Sequence, residues 1–312
     1  MLMYNGVLIV NKEKGFTSHD VVAKLRGILK QKKIGHTGTL DPDATGVLPV
    51  CLGHGTKLCD MLTDKDKTYE AVMLIGQATD TQDISGQVIN VADANAMRSD
   101  GRLDDEYIIQ TVMSFVGPYS QIPPMYSALK VGGKKLYELA REGIEIERKP
   151  REVYINSIED IEIDFPRVKM TVSCSKGTYI RTLCHDIGIK LSAYGCMEEL
   201  KRVKVSSFDI RDAYTLDEIS DMVQMGTIDE HIIPVEQIFS EYASLKVLAE
   251  FDRLIYNGNS LHRHTVTADH NLCDNITDGA KYRVYDSKGL FMGIFAYDAH
   301  NEMFKCEKMF FS

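Results

Sequence analysis

The sequence contains no apolar run that approaches the roughly 20 residues of a membrane-spanning helix. Its N-terminus lacks the basic stretch, apolar segment and small-residue cleavage site of a secretory signal. These absences argue against a helical membrane protein and predict a chain that stays in the cytoplasm. With 312 residues, 44% hydrophobic and 26% charged, the composition is that of an ordinary globular protein of about two domains.

Cysteines are scattered, with seven in the chain and none at the paired spacing of a disulfide framework or a zinc ribbon. We therefore predict reduced, mostly buried thiols. His262, His264, His270 and Cys273 form a cluster that could be considered a metal site, but its spacing fits no standard ligand pattern. Surface histidines on a loop explain the cluster better, and no metal is predicted.

The chain also lacks the net positive charge that is typical of nucleic-acid-binding proteins, since its formal charge is −9 at pH 7. The charge is unevenly distributed. Residues 12–33 contain seven lysines and arginines against two acidic residues, and this segment leads directly into an unusual loop. We predict a positive rim beside that loop, with a solvated helix face as the alternative explanation.

The loop at residues 35–49 combines three glycines, two prolines and two carboxylates in a stretch too irregular for a helix or strand. Pro42 fixes its own φ and biases Asp41 away from the helical region, so the carboxylate is presented rigidly. Taken singly, an aspartate before a proline is most often a turn residue. Asp43 raises the alternative of a paired-acid glycosidase, but we expect it to face solvent and assign it no role.

Hydrophobic periodicity predicts an α+β body for most of the chain. Thr17 and Asp20 form a helix-start box, so a helix should begin there. Strands are predicted at residues 6–10, 68–75, 87–91, 126–131 and 168–174, and further helices at 104–116, 135–142 and 180–191. A polar, linker-like passage at residues 229–244 then leads to a tail with several hairpin-turn dipeptides. The tail is predicted to form a small all-β accessory domain.

The loop resembles, almost residue for residue, the catalytic loop of the TruB family of tRNA pseudouridine synthases. The matching motifs are GHTGTLDPDATGVLP at 35–49, KTY at 67–69, QIPPMYSALK at 121–130 and KGTYIR at 176–181. The likeness is clear over residues 5–207 and weaker beyond. It implies a mixed, largely antiparallel sheet flanked by helices in a catalytic domain at 1–235. It also implies a β-barrel-like PUA domain, which binds RNA, at 243–312.

The resemblance further implies isomerisation of the TΨC-loop uridine of tRNA, at tRNA position 55, to pseudouridine. Asp41 matches the family's catalytic aspartate, which either attacks C1′ or removes a ribose proton, and both possibilities remain open. Arg181 matches the arginine that holds this carboxylate through two parallel bonds. Tyr69 matches a tyrosine that stacks on the uracil and can take the C5 proton. In isolation, Arg181 would be a helix-start residue on a solvated face and Tyr69 a core residue.

A uridine inside a folded T loop must be flipped out of its stack before it can react. His36 matches the family histidine that fills the vacated space. The other positions predicted to contact RNA are Lys57, Lys67, Asp80, Tyr126, Lys130 and Tyr179. Local explanations compete at three of them, since Lys57 could be chiefly structural, Lys67 merely exposed and Asp80 part of an Asx turn.

Other functions compete with tRNA isomerisation. A non-catalytic RNA-binding factor is disfavoured because Asp41, Tyr69 and Arg181 are all retained. A nucleoside hydrolase would release free uracil. The guide-RNA-dependent archaeal and eukaryotic branch of the family is disfavoured because this chain lacks the long basic tails of the eukaryotic members and its local motifs resemble the bacterial ones. The resemblance implies the T arm of tRNA as partner, with no protein partner, no membrane, no cofactor and a monomeric state. The glycine-rich loop also lacks a nucleotide-binding Walker pattern.

Overall fold

The computed structural model of the chain describes residues 3–268 and 276–311. Within these ranges the chain folds into a large sheet flanked by helices, a second sheet near the C-terminus and two short ribbons. The strands before residue 240 are β1 (Gly6–Lys12), β2 (Ile34–His36), β3 (Thr45–Leu52), β4 (Lys67–Ile75), β5 (Gln77–Thr79), β6 (Val88–Val91), β7 (Gly117–Gln121), β8 (Lys130–Val131), β9 (Lys134–Lys135), β10 (Arg151–Asp164), β11 (Arg167–Cys174), β12 (Gly195–Val205) and β13 (Phe208–Asp209). The α-helices are α1 (Ser18–Ile28), α2 (Cys59–Thr63), α3 (Ala94–Ser99), α4 (Asp105–Met113), α5 (Leu136–Arg141), α6 (Ile180–Lys190), α7 (Leu216–Met225) and α8 (Asp252–Tyr256).

The first sheet runs in the order β1-β3-β12-β4-β11-β10-β7, with β2 paired to β3 and β13 to β12. Its pairs are antiparallel except for β3 and β12, which are parallel. The predicted α+β class with a mixed, largely antiparallel sheet is therefore confirmed. This order places β3, β12 and β4 side by side. The stretch at residues 35–49, predicted to be irregular throughout, is irregular only at residues 37–44, because its first two residues belong to β2 and its last five to β3.

Local sequence explains where the predicted elements begin and which face they bury. Thr17 caps α1 by accepting a hydrogen bond from Asp20 N at 3.1 Å, while the Asp20 carboxylate accepts one from Thr17 N at 2.9 Å. The residues of β11 alternate between buried and outward positions, as the two-residue period predicts. The predicted elements at 6–10, 68–75, 168–174 and 180–191 correspond to β1, β4, β11 and α6.

Helices cover the sheet with apolar side chains on both halves. Helices α4 and α6 contribute Ile108, Val112, Leu183 and Ile187 to a core with β4, β10 and β11. Helices α1 and α7 pack against β1 and β3 in a second core. The N-terminus of α6, where Arg181 lies, is thereby fixed against the sheet.

Two local predictions are wrong. The passage at residues 229–244 is not a linker, because Ile233 exchanges backbone hydrogen bonds with Val7 of β1 at 2.8 and 2.9 Å. Val235 and Phe239 are buried in a core that also contains Phe310 from the C-terminal region. Residues 126–129 are not a strand either: only β8 and β9 form a hairpin there, and α5 follows it.

The second sheet contains β14 (Ala243–Val247), β15 (Leu261–His262), β16 (Val266–Ala268), β17 (Lys281–Tyr285), β18 (Phe291–Asp298) and β19 (Met303–Met309). Their order is β15-β19-β18-β17-β14-β16, and the curved sheet is nearly closed into a barrel around its own apolar cluster. The predicted β-barrel-like fold of the tail is confirmed.

Within the described residues, no helix is long and apolar enough to cross a membrane. The rings of His262 and His264 stack with centroids 5.5 Å apart. His270 and Cys273 of the considered metal cluster lie outside the described residues. Over residues 3–268 and 276–311, no group of three or more histidine, cysteine or acidic side chains is arranged to hold a metal ion.

Candidate active site

The loop that presents Asp41 connects β2 to β3, which is the second strand of the first sheet and lies next to β12. Its backbone turns at Asp41, whose carbonyl accepts a hydrogen bond from Ala44 N at 3.1 Å. Gly46 has φ of 103°, and a Cβ there would lie 2.2 Å from the backbone oxygen of Arg202 on β12. Only glycine allows this approach, so the C-terminal end of the loop is held tightly against the sheet.

Arg181, at the start of α6, binds the Asp41 carboxylate. Its Nε lies 2.9 Å from Asp41 Oδ2 and its Nη2 lies 3.4 Å from Asp41 Oδ1. The same guanidinium donates to the carbonyl oxygens of Thr81 at 3.0 Å and Tyr126 at 2.8 Å. The Arg181 side chain is 6% exposed and that of Asp41 is 41% exposed. A buried, fully engaged cation therefore orients a carboxylate that a substrate can reach.

Tyr69 lies on β4 with its side chain in the core beneath the loop. Burial raises the pKa of the Tyr69 phenol above 10, and the nearby Asp41 charge raises it further, while Arg202 opposes the rise. The carboxylate, the phenol and the two arginines thus act on one another across one small region.

Four cationic side chains are buried around this loop: Lys12, Lys67, Arg181 and Arg202. They are the buried lysines and arginines of the described part of the chain. Because burying a charge is costly, their gathering at one loop indicates a functional requirement for positive charge there.

One prediction about the positive rim is wrong. Lys12 was expected to be exposed there, but its side chain is fully buried. Its ammonium donates to the carbonyl oxygens of Phe16 at 2.6 Å, Glu13 at 3.1 Å and Pro42 at 3.1 Å. Burial lowers the pKa of Lys12 to about 8, although the Asp41 charge opposes the shift. Lys12 therefore supports the loop from inside. The other six basic residues of the segment at 12–33 are exposed.

Arg202 is the main feature that sequence reasoning missed. Its Nε donates to Val47 O at 2.8 Å and its Nη2 to Gly38 O at 3.2 Å, so it joins the two ends of the loop. Bulges interrupt β12 on both sides of Leu200. The bulges break the alternating pattern that would have identified an inward-facing arginine.

Three of the predicted RNA contacts lie close to Asp41 or its loop. His36 is half-buried at the end of β2, and its ring meets the ring of His19 edge-on with centroids 5.2 Å apart. Burial lowers the pKa of His36, with further lowering by His19. Tyr126 contacts Arg181 through its carbonyl oxygen. Tyr179 immediately precedes α6, and burial raises the pKa of its phenol.

The remaining four predicted contacts are placed differently. Lys57 donates to Met309 O at 3.0 Å, which joins the two sheets. Lys67 is buried and donates to the carbonyl oxygens of Thr63 and Lys65. The exposed Asp80 accepts a hydrogen bond from Gln87 N at 2.8 Å in the ribbon of β5 and β6. Lys130 is exposed on β8. The structural explanation of Lys57 therefore has a direct contact in its favour. The bond of Asp80 goes to a residue seven positions on, so it is not the Asx turn of the local explanation. Lys67 is buried, which contradicts the alternative that it is merely exposed.

Comparison with known families matches the chain over much of its length. Residues 26–180 match the model of the N-terminal domain of TruB family pseudouridylate synthases, which includes the loop and Tyr69. Residues 181–240 match the model of a tRNA pseudouridylate synthase B C-terminal domain, which starts at Arg181.

Individual relatives agree with these family models. The tRNA pseudouridine synthase B of Lachnoclostridium phytofermentans is 49% identical, covering 98% of this chain and 99% of the relative. The protein of the same name from Clostridium acetobutylicum is 41% identical over 93% of this chain and 94% of its own length. A chain in the structure of an H/ACA RNP bound to a substrate RNA containing 2′-deoxyuridine shares the fold, with a TM-score of 0.69 at 24% identity, covering 98% of this chain and 85% of that chain. The resemblance seen in the loop motifs is confirmed, and the chain belongs to the TruB family of pseudouridylate synthases.

Proposed function

We propose that this chain converts the TΨC-loop uridine of tRNA, at tRNA position 55, to pseudouridine. The observation that carries the proposal is the two-contact pairing of a buried Arg181 with a reachable Asp41, close enough to Tyr69 for its charge to act on the phenol. Relatives named tRNA pseudouridine synthase B, at 40 to 49% identity over 98% of this chain, support tRNA as the substrate. The chain is proposed to act in the cytoplasm as a monomer, without a protein partner or a cofactor.

The reaction breaks the glycosidic bond, turns the uracil and joins its C5 to the ribose. Asp41 must be ionised and close to the sugar, whether it attacks C1′ or removes a ribose proton. Arg181 supports this role because a paired, buried guanidinium stabilises the carboxylate charge and fixes its direction. The exposed fraction of Asp41, 41%, leaves its outer face open to the ribose.

The target base reaches Asp41 only after it has left the T loop. Tyr69 is proposed to stack on the flipped uracil and to take its C5 proton after reattachment. His36 is proposed to fill the space that the base leaves, and its position beside the exposed His19 supports a location at the RNA surface. Tyr126, Tyr179 and the exposed Lys130 are proposed to line the RNA path.

Three further proposed RNA contacts have weaker support. Lys57 and Lys67 use their ammonium groups on backbone carbonyls, so a phosphate contact would require those bonds to be shared or broken. Asp80 is proposed to approach RNA through the exposed ribbon of β5 and β6. We propose a catalytic domain at residues 1–235 and an RNA-binding PUA-like domain at 243–312, the latter consistent with the second sheet.

The proposal is tested with purified protein and an unmodified tRNA transcript that carries tritium at uracil C5. Wild type is expected to release the label at one position, since isomerisation removes the C5 proton. Asp41→Asn is expected to bind the tRNA normally but to lose about 10⁴-fold or more in rate, because an amide keeps the shape and loses the charge. Asp43→Asn is the matched control, since Asp43 is an exposed carboxylate of the same loop.

Each alternative has its own outcome. Free uracil in the reaction would identify a hydrolase, and binding without label release would identify an RNA-binding factor. Label release that requires an added guide RNA or protein would contradict the proposed independent action. Appreciable product from Asp41→Asn would end the assignment of Asp41.

A further inference from the structure

Arg202 occupies an unusual position for a charged residue. It lies on β12 between β3 and β4, opposite Gly46 on one side and Tyr69 on the other. The residue is only 1% exposed. A bulge follows it, where the register with β4 shifts between Arg202 and Lys204. The side chain lies beneath the Asp41 loop, where its Nη2 reaches Gly38 O.

Within the described part of the chain, the Arg202 guanidinium has hydrogen-bond partners but no counter-ion. Its two contacts to protein oxygen atoms are to the carbonyls of Val47 and Gly38. Among residues 3–268 and 276–311, no carboxylate forms an ion pair with Arg202, whereas Arg181 nearby pairs with Asp41. A buried arginine without a carboxylate is costly, and two carbonyl contacts could be made by a neutral donor. Its positive charge therefore calls for a separate explanation.

The group that best accounts for the charge is the phenol of Tyr69. The titratable groups that act on this phenol are Arg202 from β12, Cys174 from β11 and Asp41 from the loop. Of these three, only Arg202 is a cation. Burial raises the pKa of Tyr69, the neighbouring Cys174 and Asp41 also raise it, and the charge of Arg202, the cross-strand partner of Tyr69, opposes them.

We propose that Arg202 is a positioning residue that acts through Tyr69: it holds the phenol beneath the uracil and stabilises negative charge on the phenol oxygen when the C5 proton is removed. This inference rests on the proposed function, because it requires a uracil whose C5 has been joined to C1′. It adds a role to a residue that touches neither the carboxylate of Asp41 nor the exposed surface of the loop.

The proton balance of the step is as follows. The phenol of Tyr69 first releases its proton to water, and Arg202 stabilises the resulting phenolate. After the C5–C1′ bond has formed, the phenolate oxygen bonds the C5 proton. The electron pair of the C5–H bond becomes the C5–C6 double bond, and the electrons of the N1–C6 double bond take a proton from water at N1. Tyr69 is returned to its neutral form, and no oxidant or cofactor is needed.

The test compares Arg202→Gln with Arg202→Lys in single-turnover reactions on the tRNA transcript, over a range of pH. Glutamine keeps hydrogen-bond donors and loses the charge, so proton removal is expected to slow by about 100-fold. The rise of its rate with increasing pH should move to higher pH, since the phenolate has lost its stabilising cation and the pKa of Tyr69 is higher. Lysine keeps the positive charge on a shorter side chain, so the rate of Arg202→Lys should lie between those of wild type and Arg202→Gln.

A deuterium isotope effect at uracil C5 separates this role from a merely structural one. We expect the effect to increase in Arg202→Gln and to take an intermediate value in Arg202→Lys, because C5 proton removal becomes rate-limiting. A general distortion of the loop would slow glycosidic cleavage and leave the isotope effect and the pH profile unchanged. Arg167→Gln serves as the control, since Arg167 is a partly exposed arginine of the same sheet paired with Glu198.

The outcomes decide the proposal even if the neutral variant does not fold. Circular dichroism and tRNA binding establish whether each variant is intact. If Arg202→Gln is unfolded, Arg202→Lys must still show an isotope effect above that of wild type, and an unchanged value overturns the inference. If wild type itself releases no C5 label, the proposed function fails first, which is distinguishable from an active wild type with unaffected Arg202 variants.

Discussion

The two sheets of this protein differ in the buried charged side chains that they contain. The first sheet buries Lys12, Lys67, Arg181 and Arg202 around one loop. In the described part of the second sheet and its connections, Asp286 is the buried charged side chain, and it serves a turn. It accepts hydrogen bonds from Lys288 N at 2.9 Å, Leu290 N at 2.8 Å and the Tyr256 hydroxyl at 2.9 Å.

The difference teaches which charges serve folding and which serve chemistry. The carboxylate of Asp286 has its hydrogen-bonding capacity used locally, so it stabilises the chain reversal between β17 and β18. Beneath the Asp41 loop, Arg181 pairs with Asp41, whereas Lys12, Lys67 and Arg202 donate to backbone carbonyls. The charges of Lys12 and Asp41 act on each other, and the charge of Arg202 acts on Tyr69. Burying such cations costs desolvation free energy, which their hydrogen bonds to backbone carbonyls offset only in part.

The largest effect is expected when the cation that touches Asp41 is removed. Arg181→Met loses both contacts to the carboxylate and leaves the carbonyls of Thr81 and Tyr126 without their donor. We expect the single-turnover rate of C5 label release to fall by about 10²- to 10³-fold. Arg181→Lys keeps the charge but not the parallel bonds, so it should recover part of the rate. If Arg181→Met reacts within threefold of the wild-type rate, the buried cations of the first sheet do not serve catalysis, and the proposed difference between the two sheets is wrong.

A smaller effect, on stability, is expected at Lys12. Lys12→Met leaves three carbonyls without their ammonium donor and should lower the free energy of unfolding by about 1–3 kcal/mol at pH 7. Burial holds the pKa of Lys12 at about 8 in the folded chain, below the ordinary 10.5. The unfolded state therefore binds more protons between these values, and wild type should gain stability over the variant as pH rises through this window.

Urea unfolding of wild type and Lys12→Met at pH 7, 8.5 and 10 measures this difference. We expect the difference in free energy of unfolding between wild type and Lys12→Met to increase by about 1 kcal/mol or more between pH 7 and pH 10. If the difference in free energy of unfolding between wild type and Lys12→Met stays constant or decreases with pH, burial does not lower the pKa of Lys12. The pH dependence of all other groups cancels in the comparison.

The smallest effect is expected in the second sheet, at Asp286. Asp286→Asn should lower the free energy of unfolding by about 1–2 kcal/mol at pH 7 and leave the isomerisation rate of the folded protein unchanged. Burial alone would raise the pKa of Asp286, but the hydrogen bonds from Leu290 and Tyr256 bring it below 3.8. Its stabilising contribution is therefore present above pH 3.8 and should disappear as pH falls below that value.

Thermal unfolding at pH 7 and pH 3 tests this expectation, with Arg167→Gln as a surface control. The ion pair of Arg167 with Glu198 is half exposed at Arg167, so Arg167→Gln should lower Tm less than Asp286→Asn does. A loss of activity in folded Asp286→Asn would connect the second sheet to the chemistry and contradict the proposed division of roles.

Sequence reasoning predicted the elements whose cause is local. The capping box of Thr17 and Asp20 and the alternation of β11 each depend on neighbours within a few residues, and both predictions are confirmed. The loop motifs predicted the family, which is also confirmed. The structure places Arg181 against Asp41 as the resemblance implied, while the chemical roles of these residues stay proposals.

The errors have a common physical origin in contacts between distant parts of the chain. The passage at residues 229–244 is polar on average, yet a few apolar residues such as Val235 and Phe239 find a core built from both sheets. Lys12 belongs to a basic run that suggested a solvated surface, but β1 carries it under the loop. Average composition says nothing about which single side chain points inward.

By itself, the sequence determined the family, the α+β class and the rigid presentation of Asp41, because glycine and proline restrict the backbone locally wherever they stand. Only the tertiary structure decided that Arg202 lies beside Tyr69. The two residues are far apart in sequence and meet through strand pairing across β4 and β12, at a bulge whose position no periodic pattern indicates. Strand register and burial are properties of the assembled sheet, and they set the electrostatic environment of the site.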